Sequence, residues 1–173
     1  MPKQKIYQVD AFTDQLYAGN PAAVCPLDEW LPDELMQHIA NENNLAETAF
    51  IVPNGEDYFI RWFTPTDEID LCGHATLASA YVLFEELKYN HTTIRFHSVN
   101  SGLLTVTKTD GKLFLDFPMD ELGPALESPE MIGYKIGVEP VEVLRGKTDL
   151  VAVVKSETAD RKSTRLNSSH QII

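Results

Sequence analysis

The run Ala75–Leu87, ATLASAYVLFEEL, constrains this chain more than any other stretch. Only Thr76, Ser79, Glu85 and Glu86 in it are polar, and the two acids stand at its far end. The composition predicts a helix, and a helix that is apolar on nearly every side must be buried. Leu71-Cys72-Gly73-His74 leads directly into it. The first backbone N–H groups of a helix have no partner within it, and its dipole is positive there. Cys72, Gly73 and His74 at such an end make an anion-binding corner with an ionisable group beside it. Gly73 allows a ligand to approach the backbone closely. A lone histidine near a helix start is also a common cap, so this stretch alone leaves both roles open.

Burying such a helix takes a core. The chain has 173 residues, enough for one ordinary domain or two small lobes. Its hydrophobic content of 43% and charged content of 23% are those of a folded globular protein. No apolar run reaches the roughly 18 residues of a membrane-spanning helix. Met1–Lys5 lacks the apolar core of a signal peptide. Cys25 and Cys72 make no disulfide framework, which predicts a reduced, cytoplasmic chain. The net charge of −12 argues against binding nucleic acid through its phosphates. It still allows a small anionic substrate, because a local pocket can oppose the global field. The five histidines are scattered without zinc-type spacing, so no metal site is expected.

Strands are predicted around the helix. Lys5–Phe12 has strand composition. Gly19-Asn20-Pro21 reads as a turn, and Ala22–Cys25 as a short buried strand of small residues. Pro32–Asn43 is a helix candidate, with Pro32 in its first turn, Asp33 and Glu34 complementing the dipole, and Asn43-Asn44 as its stop. Asn54-Gly55 and Asp110-Gly111 are hairpin signals. Tyr58–Thr64, Thr92–Val99, Leu103–Thr107 and Leu113–Phe117 read as strands. The simplest way to bury an apolar helix on all sides is to wrap antiparallel strands around it, an α+β arrangement. After Pro118 the chain changes character: Gly123, Pro124 and Pro129 punctuate a linker. A short helix over Pro129–Ile136 follows, capped by Ser128. Val141–Leu144 and Leu150–Val154 then read as strands without obvious partners.

Glu47 stands in the apolar run Leu45–Val52. Either it faces water by simple alternation, or it is buried with a purpose. A buried carboxyl has a raised pKa, which suits a proton donor or base near neutral pH.

Five segments in order resemble the PhzF family of phenazine-biosynthesis-like isomerases. They are Val9–Thr13 (VDAFT), Gly19–Val24 (GNPAAV), Asn44–Phe50 (NLAETAF), Arg61–Pro65 (RWFTP) and Leu71–Thr76 (LCGHAT). The resemblance implies the diaminopimelate epimerase-like fold, two similar lobes that each wrap strands around a central helix with the site in the cleft. It implies isomerisation of trans-2,3-dihydro-3-hydroxyanthranilate, or a similar small carboxylated substrate, by proton movement without metal or organic cofactor. It implies Glu47 as the general acid/base, Gly73 and His74 lining the site with His74 touching substrate, and Asn20 near the same cleft. It also suggests a homodimer for the full-length protein.

The resemblance is strong over residues 5–118 and weaker to about 159. The family's acidic-Pro-Thr-Gly-Ser motif, which builds the opposite wall, has no counterpart after residue 118. The expected organisation is therefore an N-terminal lobe over 1–118 with half of the active site, and the start of an incomplete second lobe over 119–159. Asp160–His170 resembles one reading frame of a sequencing adapter, so 160–173 is expected to be an artefact. A chain with half a site is expected to be inactive by itself. Two other readings stay open. One is an amino-acid racemase or epimerase that uses Cys72, whose thiol at a helix start has a lowered pKa. The other is a non-catalytic binding or regulatory protein on the same scaffold.

Overall fold

The computed structural model describes residues 3–15, 17–147 and 149–162. The chain divides into two compact units after Pro118. The first unit runs β1 (Tyr7–Ala11), β2 (Asn20–Pro26), α1 (Asp33–Asn43), β3 (Glu47–Asn54), β4 (Asp57–Phe63), β5 (Glu68–Ile69), α2 (Gly73–Tyr81), β6 (Thr93–Ser98), β7 (Gly102–Thr109) and β8 (Lys112–Asp116). One mixed sheet orders them β1-β2-β3-β4-β6-β7-β8, with β5 paired to β4.

The sheet is not wholly antiparallel, as the strand pattern suggested. β2 and β3 pair in parallel, as do β4 and β6. The reason is connectivity: α1 joins the first pair, and β5 with α2 joins the second. A chain that crosses back through a helix starts its next strand at the same end as the last. The short connections give antiparallel pairs. At the Asn54-Gly55 turn Gly55 has φ +64°, and Asp110 and Gly111 have φ +50° and +77°. Such values match the right-handed twist of the flanking strands. Asn20 and Pro21 are not turn residues. They are the first two positions of β2, paired with Ala11 and Asp10, and the turn falls earlier, at Gly19 with φ +84°.

α2 packs against β1, β2 and β3, and also against β8. β1 and β8 end the strand order, so the sheet curls around the helix. Ala75, Ala78 and Ala80 meet Ala22, Val24, Ala49, Ile51 and Trp62 in one core. Small residues on both surfaces let the helix lie close to the strands. Two hydroxyls are buried with them, and each bonds its own helix: Thr76 Oγ1 donates to the Cys72 carbonyl (2.6 Å) and Ser79 Oγ to the Ala75 carbonyl (2.7 Å).

The helix departs from expectation at its far end. Tyr81 is 45% exposed, so burial is not complete all round. From Val82 to Glu86 the backbone is a π-helical turn, in which the Leu87 N–H reaches back to the Val82 carbonyl. Val82, Leu83 and Phe84 are all buried in succession there.

α1 covers the opposite face of β2 and β3. Its Met36 and Ala40 pack on Cys25, Phe50 and Val52. Pro32 precedes its first turn, and Asn44 ends it in the left-handed conformation, its N–H on the Ala40 carbonyl.

The second unit carries β9 (Gly123–Pro124), α3 (Pro129–Ile136), β10 (Glu142–Arg145), β11 (Leu150–Val153) and α4 (Glu157–Lys162). Ser128 caps α3 by accepting from the Met131 N–H, and Gly137 closes it with φ +76°. β10 and β11, expected to lack partners, pair with each other, and β9 joins the other edge of β10. The Gly146 N–H bonds the Asp149 carbonyl and closes the hairpin. Ile132 and Val143 are buried here, whereas Leu126 and Tyr134 stand at 100% and 93% exposure. Of the stretch expected to be an artefact, Asp160–Lys162 lies in α4. Residues 163–173 lie outside the described residues.

Close packing around α2 predicts intolerance of volume. Ala78→Leu should lower stability by about 1–3 kcal/mol, whereas Tyr81→Thr on the exposed side should change it by less than about 1 kcal/mol. Urea unfolding midpoints of the two variants check this.

Candidate active site

Strand alternation, read with both covered faces, places Glu47. In β3 the residues Glu47, Ala49 and Ile51 share one face, and Ala49 and Ile51 belong to the core around α2. Phe50 and Val52 point the other way, under α1. With helices on both faces, neither set meets bulk water, and the solvent-facing alternative for Glu47 fails. Its side chain is 12% exposed.

β3 lies beside β2, where Ala22 is the neighbour of Glu47. A methyl group there leaves room for the carboxylate. Asn20 is two residues earlier on the same face of β2, at the strand's first position.

The second component arrives with α2. Cys72 is its N-cap in extended conformation, and its side chain makes no capping hydrogen bond. The first intrahelical bond is Thr76 N–H to the Cys72 carbonyl. The N–H groups of Gly73, His74 and Ala75 therefore precede the hydrogen-bonded ladder. His74 is 3% exposed, and its Nε2 lies 3.1 Å from Oε2 of Glu47. Neither of these two buried atoms has a hydrogen-bond partner of good geometry, so the contact is off-axis. On the other side of the ring, Nδ1 lies 3.4 Å from Sγ of Cys72.

Thus the structure brings Glu47, Cys72 and His74 together, with Gly73 in the same turn and Asn20 on the neighbouring strand. The ligand-type atoms of the three lie within 4.8 Å of one another. That spacing suits a metal ion, but the imidazole turns one nitrogen to each partner. A single ion takes only one nitrogen of an imidazole, and here the ring lies between its two neighbours, Cys72 on one side and Glu47 on the other.

Cys72 corrects an expectation. Its thiol is not acidic. Burial pushes it up to about 12, the Glu47 carboxylate pushes in the same direction, and the Ala75 and His74 backbone N–H groups only partly oppose them. Cys25, buried under α1, is likewise pushed up to about 12. Both cysteines are free thiols.

Residues without a predicted role hold the start of α2 in place. Arg61 of β4 grips Glu68 of β5 with two bonds of 2.6 Å and Asp33 of α1 at 2.8 Å. Its guanidinium lies over the rings of Trp30 and Phe63. Glu68 is four residues before Cys72, so this bidentate clamp fixes the approach to the helix. The Asp70 carbonyl accepts from Ser101 Oγ at 2.7 Å, and the Asp70 carboxylate accepts from Asn100. The signal for Arg61 was a charge within the apolar strand YFIRWFT. The Asp70 contacts are 30 and 31 residues apart in sequence and leave no local signature.

Known proteins are similar to this chain in sequence and fold. An uncharacterized isomerase of Pseudomonas aeruginosa is 48% identical over 153 residues, covering 88% of this chain and 58% of that protein. A crystal structure of a PhzF-family phenazine biosynthesis protein from Enterococcus faecalis superposes with a TM-score of 0.80 at 47% identity, covering 93% of this chain and 61% of that one. A predicted epimerase of P. aeruginosa shares the fold at 18% identity, with a TM-score of 0.70 over 95% of this chain and 64% of that one. The chain spans less than two thirds of the length of these relatives. The profile of phenazine biosynthesis-like proteins, PhzC-PhzF, matches residues 9–160, and the chain belongs to that family.

Proposed function

We propose that this chain carries part of the site of an isomerase that moves a proton on a small carboxylated substrate, with Glu47 as the acid/base and no organic cofactor. The observation that carries the reading is a nearly buried carboxylate, set on an apolar sheet face, touching His74 at the uncapped start of a buried helix. The N–H groups of Gly73, His74 and Ala75 suit the substrate carboxylate. Asn20 and His74 orient the rest of the ligand. Glu47 then takes a proton from a carbon next to an unsaturated system. The C–H electron pair enters that system and the double bond shifts. Glu47 returns the proton to a second carbon, so atoms and charge balance and the carboxylate is regenerated. A buried acid/base fits this work because the captured proton is held away from water between the two steps.

In this reading residues 119–159 begin a second lobe. The remaining groups of the site belong to the part of the relatives that this chain does not span. The chain alone is expected to give no turnover. The test continues residues 1–118 with the rest of the E. faecalis protein and offers trans-2,3-dihydro-3-hydroxyanthranilate in deuterated water. Isomerisation with the migrating hydrogen largely retained, rather than replaced by deuterium, is expected, and Glu47→Gln should lower the rate about 100-fold or more. A Glu47→Gln protein that retains full rate would overturn the assignment.

A racemase using Cys72 needs a thiolate that the buried site disfavours. In the folded chain near pH 8, Cys25 and Cys72 should both resist a thiol reagent and react once denaturant is added. Rapid modification of Cys72 in the folded protein would restore the racemase reading.

A further inference from the structure

We propose that Cys72 is a positioning residue: its S–H donates to Nδ1 of His74 and fixes the imidazole tautomer whose Nε2–H faces Glu47. The proposal deepens, and rests on, the reading of Glu47 as the proton-transfer group.

Sγ and Nδ1 are 3.4 Å apart, and Nε2 and Oε2 of Glu47 are 3.1 Å apart. Cys72 is 6% and His74 3% exposed, so each must find its partners within the site. A neutral imidazole has one donor and one acceptor nitrogen, a thiol has one proton to give, and a carboxylate only accepts. In one direction only does each proton face a lone pair: S–H toward Nδ1, and Nε2–H toward Glu47. In the reverse tautomer the Nε2 lone pair would face the lone pairs of Oε2. Burial keeps the thiol protonated and therefore a donor.

The spacing supports a built relation. Cys72 is the N-cap and His74 the second helical residue, with Gly73 between them. The helix start is itself anchored through Glu68 and Asp70. The ring is thus held by its neighbour on one side and offered to Glu47 on the other. Because the Nε2 contact is off-axis, Oε2 keeps lone-pair directions that are not taken by the imidazole. The histidine steadies the carboxylate without occupying it.

The test is nitrogen-15 spectroscopy of the whole 173-residue chain near neutral pH. His74 resonances are identified by their loss in His74→Gln. A pyridine-type Nδ1 and a pyrrole-type Nε2 are expected. The reverse pattern, or two pyrrole-type nitrogens, overturns the proposal. Cys72→Ala should move the Nδ1 resonance toward that of a free pyridine-type nitrogen, and Cys72→Ser, which keeps a donor, should restore it. An Nδ1 resonance unchanged by Cys72→Ala also overturns it. In the continued protein, Cys72→Ala should slow isomerisation about 10-fold, the scale of losing a group that orients a reacting residue. Cys72→Ser should recover most of that loss, and a serine variant as slow as the alanine variant counts against the proposal. The tautomer is read without substrate. A failure of the Glu47 assignment therefore leaves the tautomer pattern in place, whereas a reversed tautomer refutes this proposal and leaves Glu47 standing.

Discussion

The burial of α2 is the constraint from which the rest of the first unit follows. An apolar helix of this kind cannot rest on one flat sheet, because a flat sheet would cover only one of its sides. Here the sheet curls until both β1 and β8 touch the helix. Alanines on α2 and on β2 and β3 set how close the layers come. Even the buried hydroxyls of Thr76 and Ser79 turn inward to the helix's own carbonyls, so no strand must supply a partner. At the helix start the same burial brings His74 against Glu47, with both side chains largely out of water.

The site depends on two layers of support. The inner layer is the chain of Cys72, His74 and Glu47, in which each group faces the next. The outer layer is electrostatic and is built from other residues. Arg61 ties β4, β5 and α1 through Glu68 and Asp33, and the Asp70 carbonyl is held by Ser101. A half-buried arginine with a bidentate partner contributes geometry more than energy. Its value is that β5 delivers Cys72 and His74 at a fixed height beside β3.

The second unit is built to a different standard. Ser128 and Gly137 cap α3 well, and β10 has partners on both edges. Yet Leu126 and Tyr134 remain almost wholly exposed. Local rules of capping and pairing are satisfied there without a core to match the first unit's, which shows how separable those two contributions to a fold are.

Much of this was legible in the residues themselves. The apolar run marked α2, Pro32 and Asn44 marked the ends of α1, and Asn54-Gly55 and Asp110-Gly111 marked hairpins, because caps and tight turns are chosen by local backbone conformation. Five ordered segments pointed to the family. Other features were not legible, since they depend on groups distant in sequence. Parallel pairing follows from where the helices cross, which the strand residues do not record. Glu47 is largely shielded because α1 and α2 cover opposite faces of β3, and one strand's alternation cannot distinguish that from exposure. The acidity of Cys72 reversed for the same reason: a helix start by itself lowers a thiol's pKa, but tertiary packing removed the water and brought a carboxylate beside it. The sequence by itself determined which helices and turns form and which residue types meet at the site. Only the tertiary structure decided their solvation and their partners, because desolvation and charge proximity are properties of the packed interior and not of the local chain.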